Sequence, residues 1–338
     1  MSLTNSLLGD NRTMTAIPMM DDTSIDASIP WHYGDPFKEQ RTLLEGLGRI
    51  DLSNRELIRV SGPDRHEWLH ALLTQHLLEP FTSTQALSLS PNGHIEHDLH
   101  LVDDGEATWI ILEPGNAQNL LPYLLKMKFR ADVVIEDVSN DYAVVGATGW
   151  VASEYPVWHS PAAFLAPAEI AVAYVPHRPA SWQVSEIIVP RELLETELAD
   201  NRIGSWAWEA HRIRAGVPRF GFETDSRTIA HELGLITPAV HLQKGCYRGQ
   251  ETVAKVYNLG KPPRRLVQLQ IDGSTNELPA LGTSIFFEGV EVGRLTSITQ
   301  DYESGPLGLA VIKRNVPLDA TLLVGEIAAA QTPIVVAD

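Results

Sequence analysis

The octapeptide Lys244-Gly245-Cys246-Tyr247-Arg248-Gly249-Gln250-Glu251 gathers a thiol, two cations, two glycines and two acceptor-bearing side chains, and Cys246 is the only cysteine of the 338-residue chain. Lys244 and Arg248 flank the thiol with positive potential, which favours the thiolate and with it nucleophilic attack or soft-metal binding. Gly245 and Gly249 clear side chains from either side, so the backbone can turn and a planar ligand or a partner can come close. The same features also suit a small buried cysteine at a strand-to-helix junction. One cysteine excludes an internal disulfide, a self-contained iron–sulfur cage and a zinc ribbon. Metal chemistry through Cys246 therefore needs ligands from His, Asp or another molecule.

Two further groups of residues could do chemistry. In Thr228-Ile229-Ala230-His231-Glu232, the carboxylate of Glu232 lies between apolar runs and must find donors if it is desolvated. A pterin edge offers an amino group and a ring N–H side by side, a planar pair that one carboxylate can accept; a helix cap or a salt bridge would serve Glu232 equally well. Asp98 follows the Asn92-Gly93 turn with His94, Glu96, His97 and His100 nearby. On an extended chain His94, Glu96, Asp98 and His100 face one way and Ile95, His97, Leu99 and Leu101 the other, so the polar face lines either a cleft or the wet side of a sheet. A two-residue period spreads ligands about 7 Å apart, too open for closed tetrahedral coordination, and no metal site is expected.

The elements that must position these residues can be read from the pattern. Leu57, Ile58 and Val60 form a strand ending at Ser61-Gly62-Pro63-Asp64, where Ser61 or Gly62 can cap a helix that buries Trp68, Leu69, Leu72, Leu73 and Leu77. Residues 86–112 read as a β-meander turned at Pro91-Asn92-Gly93 and Asp103-Asp104-Gly105. A helix from about Asn116 leads to the strand Val133-Val134-Ile135, and Ala143 to Gly146 adds another. Strands joined by hairpins and mixed with helices predict an α+β fold rather than a doubly wound parallel sheet. The proline-rich segment from Tyr155 to Pro179 predicts irregular chain or short edge strands, and a helix spans roughly Ile203 to Ala215. After Lys261-Pro262-Pro263 come five short β-runs, Leu266–Ile271, Ser284–Phe287, Val290–Ser297, Leu307–Val311 and Thr321–Val324, a small barrel or sandwich.

Residues 1–30 lack periodicity and are expected to be a mobile leader, followed by a main α+β region of two subdomains over 31–260 and a C-terminal β-barrel over 261–338. Apolar residues make up 44% and charged residues 20%, as in folded soluble proteins. The formal net charge of −17 repels phosphate backbones, so nucleic acid is not expected as a direct partner. No apolar run of membrane length and no signal peptide is visible, so a cytoplasmic protein without a membrane partner is expected. There is no G-x-S-x-G elbow, P-loop or dinucleotide fingerprint to anchor a hydrolase, nucleotidase or dehydrogenase reading.

The octapeptide, followed by Thr252-Val253-Ala254-Lys255, Gly260 and Arg264-Arg265-Leu266, closely resembles the signature of the YgfZ family, folate-binding relatives of the glycine-cleavage T-protein. Val60-Ser61-Gly62-Pro63-Asp64 resembles the first strand-to-helix turn of that family, and Arg212-Ile213-Arg214-Ala215-Gly216-Val217-Pro218 the helix end before its folate loop. Gly293-Arg294-Leu295-Thr296-Ser297 and Gly308-Leu309-Ala310 resemble the C-terminal barrel of the T-protein.

The resemblance implies a ring of three subdomains around a hole that binds tetrahydrofolate or a one-carbon derivative, with Glu232 matching the glutamate that holds the pterin. Tyr247, Arg248 and Gln250 join Glu232 in the implied folate site; Cys246, Lys244 and Asp98 form the implied reactive set. It further implies a role in assembling or repairing iron–sulfur clusters in client proteins. Cys246 stands where the T-protein motif has aspartate, and Arg214 replaces an acidic residue of the T-protein helix; both departures separate the chain from aminomethyltransferases. Asp98 falls near the catalytic aspartate of the T-protein, which keeps folate-dependent aminomethyl or methyl transfer open beside the assembly role and a non-catalytic folate sensor or scaffold.

Overall fold

The computed structural model describes residues 15–19, 21–164, 177–198, 201–274 and 277–336. The part of the proline-rich segment over 165–176 and the first fourteen residues of the expected leader lie outside the described residues.

The meander forms where the turn chemistry required it. Gly93 and Gly105 adopt positive φ of 79° and 94° at the two turns, and the Asp104 carboxylate accepts from the Glu106 and Ala107 amides and the Trp109 indole. The three strands Ser83–Leu89, Ile95–Asp103 and Ala107–Leu112 pair antiparallel and continue through Glu56–Ser61 to Val134–Asp137, a five-stranded sheet. Helices Arg65–Leu72 and Ala117–Lys128 cover one face through Trp68, Leu69, Leu72, Leu120 and Leu124, packed on Ile58, Val60, Leu99 and Leu101. The first of these helices begins later than the expected caps, at Asp64. Gly62 serves a different need: a Cβ there would stand 2.3 Å from the carbonyl oxygen of Asp132.

The strand carrying Asp98 departs from simple alternation. The register of Ser83–Leu89 against Ile95–Asp103 shifts between Ser88 and Leu89, which pair with His97 and Ile95, so Glu96 is the extra residue of a β-bulge. Ile95 therefore packs in a different core from Leu99 and Leu101, although an unbroken strand would put all three on one face.

A second five-stranded sheet runs in the order Arg202–Ile203, Arg49–Asp51, Tyr142–Thr148, Val184–Pro190 and Val157–His159, the last a short edge strand. The face of the first sheet away from its helices shares a core with the second sheet, where Leu57, Leu87 and Ile111 of one meet Ile50, Val144 and Ile188 of the other. Helix Ser205–Arg214 adds Ala207, Trp208 and Ile213 to that core and ends at Gly216, whose φ is 66°.

The C-terminal runs close into a barrel in the order Arg264–Ile271, Gly305–Lys313, Val290–Asp301, Ser284–Phe287, Thr321–Val324 and Ile327–Pro333, the last strand pairing back onto the first. The sixth strand, Ala-rich and without alternation, has no clear sequence signal. Val267, Leu269, Ile285, Leu295 and Ile312 fill the barrel, while Leu266, Leu307, Leu309 and Val311 face outward into the central core. The fold is thus α+β with a closed six-stranded barrel at the C-terminus.

From residue 15 onward, described residues of the expected leader pack on the fold. Ile17 bridges His32, Ile29 is buried in the central core, and buried Asp26 accepts from both terminal nitrogens of Arg219 at 2.6 and 2.8 Å. Among the described residues no helix is long and apolar enough to cross a membrane.

Candidate functional site

Where the two sheets and helix Ser205–Arg214 meet, the shared core opens into a cavity walled by Trp158, Trp182 and Trp208 with Phe164 and Phe220. Asp98 and His100 enter it from their strand, one on each side of buried Leu99. Gln85, on the neighbouring strand, donates its amide nitrogen to both Asp98 oxygens at 2.8 and 3.0 Å. That fixes the amide orientation, because a carboxylate can only accept. The Gln85 carbonyl oxygen is left buried without a partner. Burial raises the Asp98 carboxyl above the usual range, against the charge of His100 and the Gln85 hydrogen bond.

The His100 ring lies parallel to Trp158 with centroids 3.6 Å apart, and its Nδ1 is 2.8 Å from a Glu186 oxygen. Burial disfavours the His100 cation, but the charge and hydrogen bond of Glu186 and the charge of Asp98 outweigh it and raise the pKa. Glu113 completes the polar wall. Its burial is overcome by the charges of Arg219 and Arg55, which hold its carboxyl down at about 2. Among the described residues no cluster of three or more His, Cys, Asp or Glu could hold a metal ion.

Phe220 also faces an outer recess lined by Glu96, His97, Asn116, Asn119, Tyr123 and Arg248. Arg248 reaches this recess with its guanidinium 2.9 Å from Glu96 and stacked 5.3 Å from the Tyr123 ring centre. The bulge at Glu96 thus meets the octapeptide.

The octapeptide itself is pinned by glycine. Gly249 has φ 83°, and a Cβ there would lie 2.6 Å from the Ser90 carbonyl oxygen and 2.9 Å from the Gly93 Cα, so this loop and the Asn92-Gly93 turn touch backbone to backbone. Gly245 has open space around it and Cys246 is exposed. The thiol is therefore neither sealed in the core nor part of the cavity wall.

Two expected site residues are held by the chain's own groups. The Lys244 ammonium is buried and donates to the carbonyls of His70, Leu73 at 2.5 Å and Gln75 at 3.1 Å, closing the C-terminal end of helix Arg65–Leu72. Glu232 is bonded within the chain. It is fully buried, its two oxygens accept from Nε and a terminal nitrogen of Arg264 at 2.8 Å each, and it caps the Ile229 amide. It does not line the central cavity. Tyr247 is buried and burial pushes its hydroxyl up to about 12, and Gln250 donates to the Lys244 carbonyl at 3.4 Å; neither lines the cavity. Of the expected residues only Asp98 does. Gln85, Glu186 and the three tryptophans escaped the sequence reading, since they come from separate segments with no shared spacing.

No model of a known protein family matches the chain. Among curated proteins, a chloroplastic protein of Arabidopsis thaliana provisionally named a transferase is 28% identical over 83% of this chain and 69% of its own length. Iron–sulfur cluster assembly factor IBA57 homologues, named as mitochondrial, are 25% identical in Mycosarcoma maydis over 64% of this chain and 55% of that protein, and 23% identical in Aspergillus oryzae over 81% and 72%. Among solved structures, the glycine cleavage system aminomethyltransferase T of Bartonella henselae superposes with a TM-score of 0.69 over 90% of each chain at 22% identity. The chain therefore has the fold of that aminomethyltransferase, with curated relatives that include iron–sulfur cluster assembly factors.

Proposed function

We propose that the chain is a folate-binding accessory protein for the assembly or repair of iron–sulfur clusters in client enzymes. The observation that carries the folate half is the Gln85–Asp98 pair inside a cavity walled by three tryptophans. Flat aromatic walls suit a flat heterocycle, and the buried, unpartnered Gln85 oxygen is an acceptor in need of a donor. A pterin edge would supply such donors, and a reduced folate carries one-carbon groups. The residues present fit it, with Gln85 and Asp98 taking the place expected of Glu232. His100, held by Glu186 against Trp158, keeps the adjoining wall rigid.

The iron–sulfur half rests on the fungal assembly-factor relatives and on the exposure of Cys246. Gly249 holds the loop on the body, so Cys246 is presented outward on a fixed base where a client can reach it. A single thiol holds a cluster only together with ligands from another molecule, which matches service to a client rather than storage.

The test uses cells depleted of this protein. Their iron–sulfur enzyme activity falls, the wild-type chain restores it, and Cys246→Ala and Gln85→Leu each restore little of it. Full restoration by Cys246→Ala removes the thiol from the account, and full restoration by Gln85→Leu removes the cavity.

One observation favours a second reading. Asp98, raised by burial, faces the same cavity and could position an amine for one-carbon transfer. Formation of methylene-tetrahydrofolate from an amine donor, lost in Asp98→Asn, would establish it.

A further inference from the structure

On a neighbouring face of helix Ser205–Arg214 from the one that lines the tryptophan cavity lies a recess of about 330 Å³, between that helix, Met19, residues 21–31 and the barrel. Its size is at the lower end of the range of small-molecule sites. Trp31 and Trp206 lie on its wall as a parallel pair, ring centroids 4.8 Å apart and planes within 11°. Ser205 and Thr299, each 3% exposed, line it from the helix and from the barrel, and both hydroxyls are buried with no hydrogen-bond partner. Each such hydroxyl is a standing cost that a bound polar group can remove.

The charge of the recess has one sign. Asp21, Asp26 and Glu209 line it, and no lysine, arginine or histidine does among the described residues. Behind Asp26 and Glu209 runs a network in which three guanidiniums, Arg55, Arg212 and Arg219, meet four carboxylates, Asp26, Glu113, Glu209 and Glu223. The network is one positive charge short, and two of its carboxylates face the recess. A cation held there would balance it.

We propose that this recess is a second small-molecule site, for a flat aromatic ammonium. The ring packs on the Trp31–Trp206 pair, the hydroxyls of Ser205 and Thr299 take its polar edge, and the ammonium lies towards Glu209 and Asp26. Arg212 and Arg219, which pair with Glu209, line the tryptophan cavity and not this recess, so the two sites share one ion-pair network. The proposal stands independently of the folate reading.

Calorimetric titration of the full chain with tryptamine, and with indole-3-acetate as its anionic counterpart, tests it. Tryptamine is expected to bind with one site per chain, and indole-3-acetate at least about tenfold more weakly. Thr299→Val should weaken tryptamine about fivefold while leaving thermal stability unchanged or higher, because it removes an unsatisfied hydroxyl and not a structural bond. Leu281→Arg, an exposed substitution at the rim, should weaken tryptamine further, whereas Gln85→Leu in the other cavity should leave it unchanged. No heat of binding at millimolar tryptamine, equal binding of the anion, or affinity insensitive to both Thr299→Val and Leu281→Arg would overturn the proposal.

Discussion

The amide nitrogen of Gln85 lies 2.8 and 3.0 Å from the two oxygens of Asp98, deep in a cavity walled by tryptophan. The pair spends all the donor capacity it directs at the carboxylate and leaves one carbonyl oxygen over. From this relationship follow the folate reading and the first prediction.

Asp98 has a folded-state pKa above its unfolded value, so the folded state binds its proton more tightly. Its stabilising contribution is full below the unfolded pKa near 3.8 and is lost as pH rises through the folded value. The variant Asp98→Asn does not titrate. The difference in melting temperature, variant minus wild type, should therefore grow in the variant's favour from pH 4 to pH 8; a difference independent of pH would contradict the burial argument.

Three buried histidines act in the opposite sense. Burial holds His97, His211 and His231 down at about 4, so the unfolded chain takes up protons first as pH falls below about 6.5. Stability should decline from pH 6.5 towards 4, and His211→Gln should flatten that decline by up to about 1 kcal/mol per pH unit in urea titrations near pH 5. An unchanged slope would mean that His211 is already charged in the folded protein.

Lys244 is bonded to the helix end. Lys244→Met leaves buried carbonyls of His70, Leu73 and Gln75 without their donor and should cost about 2 kcal/mol in denaturant unfolding. The rate at which Cys246 reacts with an aromatic disulfide should stay within about twofold of wild type. A large fall in thiol reactivity with intact stability would restore Lys244 to the role the sequence suggested.

The two glycines of the octapeptide should separate sharply. Gly249→Ala meets the Ser90 carbonyl and the Gly93 Cα at a positive φ and should cost about 2 kcal/mol or more, whereas Gly245→Ala has open space and should be nearly neutral. Equal effects in thermal melts would show that the contact between loop and turn does not hold the octapeptide.

Where local chemistry decides the outcome, the sequence was legible. Asn92-Gly93 and Asp104-Gly105 announced the meander, Gly216 the helix end, and alternating runs most of the barrel. The bulge at Glu96 could not be read, because one extra residue leaves no mark in an alternation that already mixes His with Leu. The partners of Lys244 and Glu232 were hidden for a common reason: the carbonyls around Leu73 and the side chain of Arg264 are brought to them by the fold, and a desolvated charge looks the same in sequence whether it meets a ligand or the protein's own groups. The cavity walls were invisible on the same ground, since Trp158, Trp182 and Trp208 meet only when the edge strand, the segment before Val184 and the helix have docked.

The most direct test of the folate reading is a calorimetric titration of the purified chain with tetrahydrofolate under reducing conditions, repeated with Gln85→Leu and Glu232→Gln. The account predicts one site per chain, affinity lowered at least about tenfold by Gln85→Leu, and affinity kept in whatever fraction of Glu232→Gln is folded, because Glu232 bonds Arg264 and not the cavity. Absence of binding by the wild-type chain, or binding abolished by Glu232→Gln in a folded protein and untouched by Gln85→Leu, would contradict it.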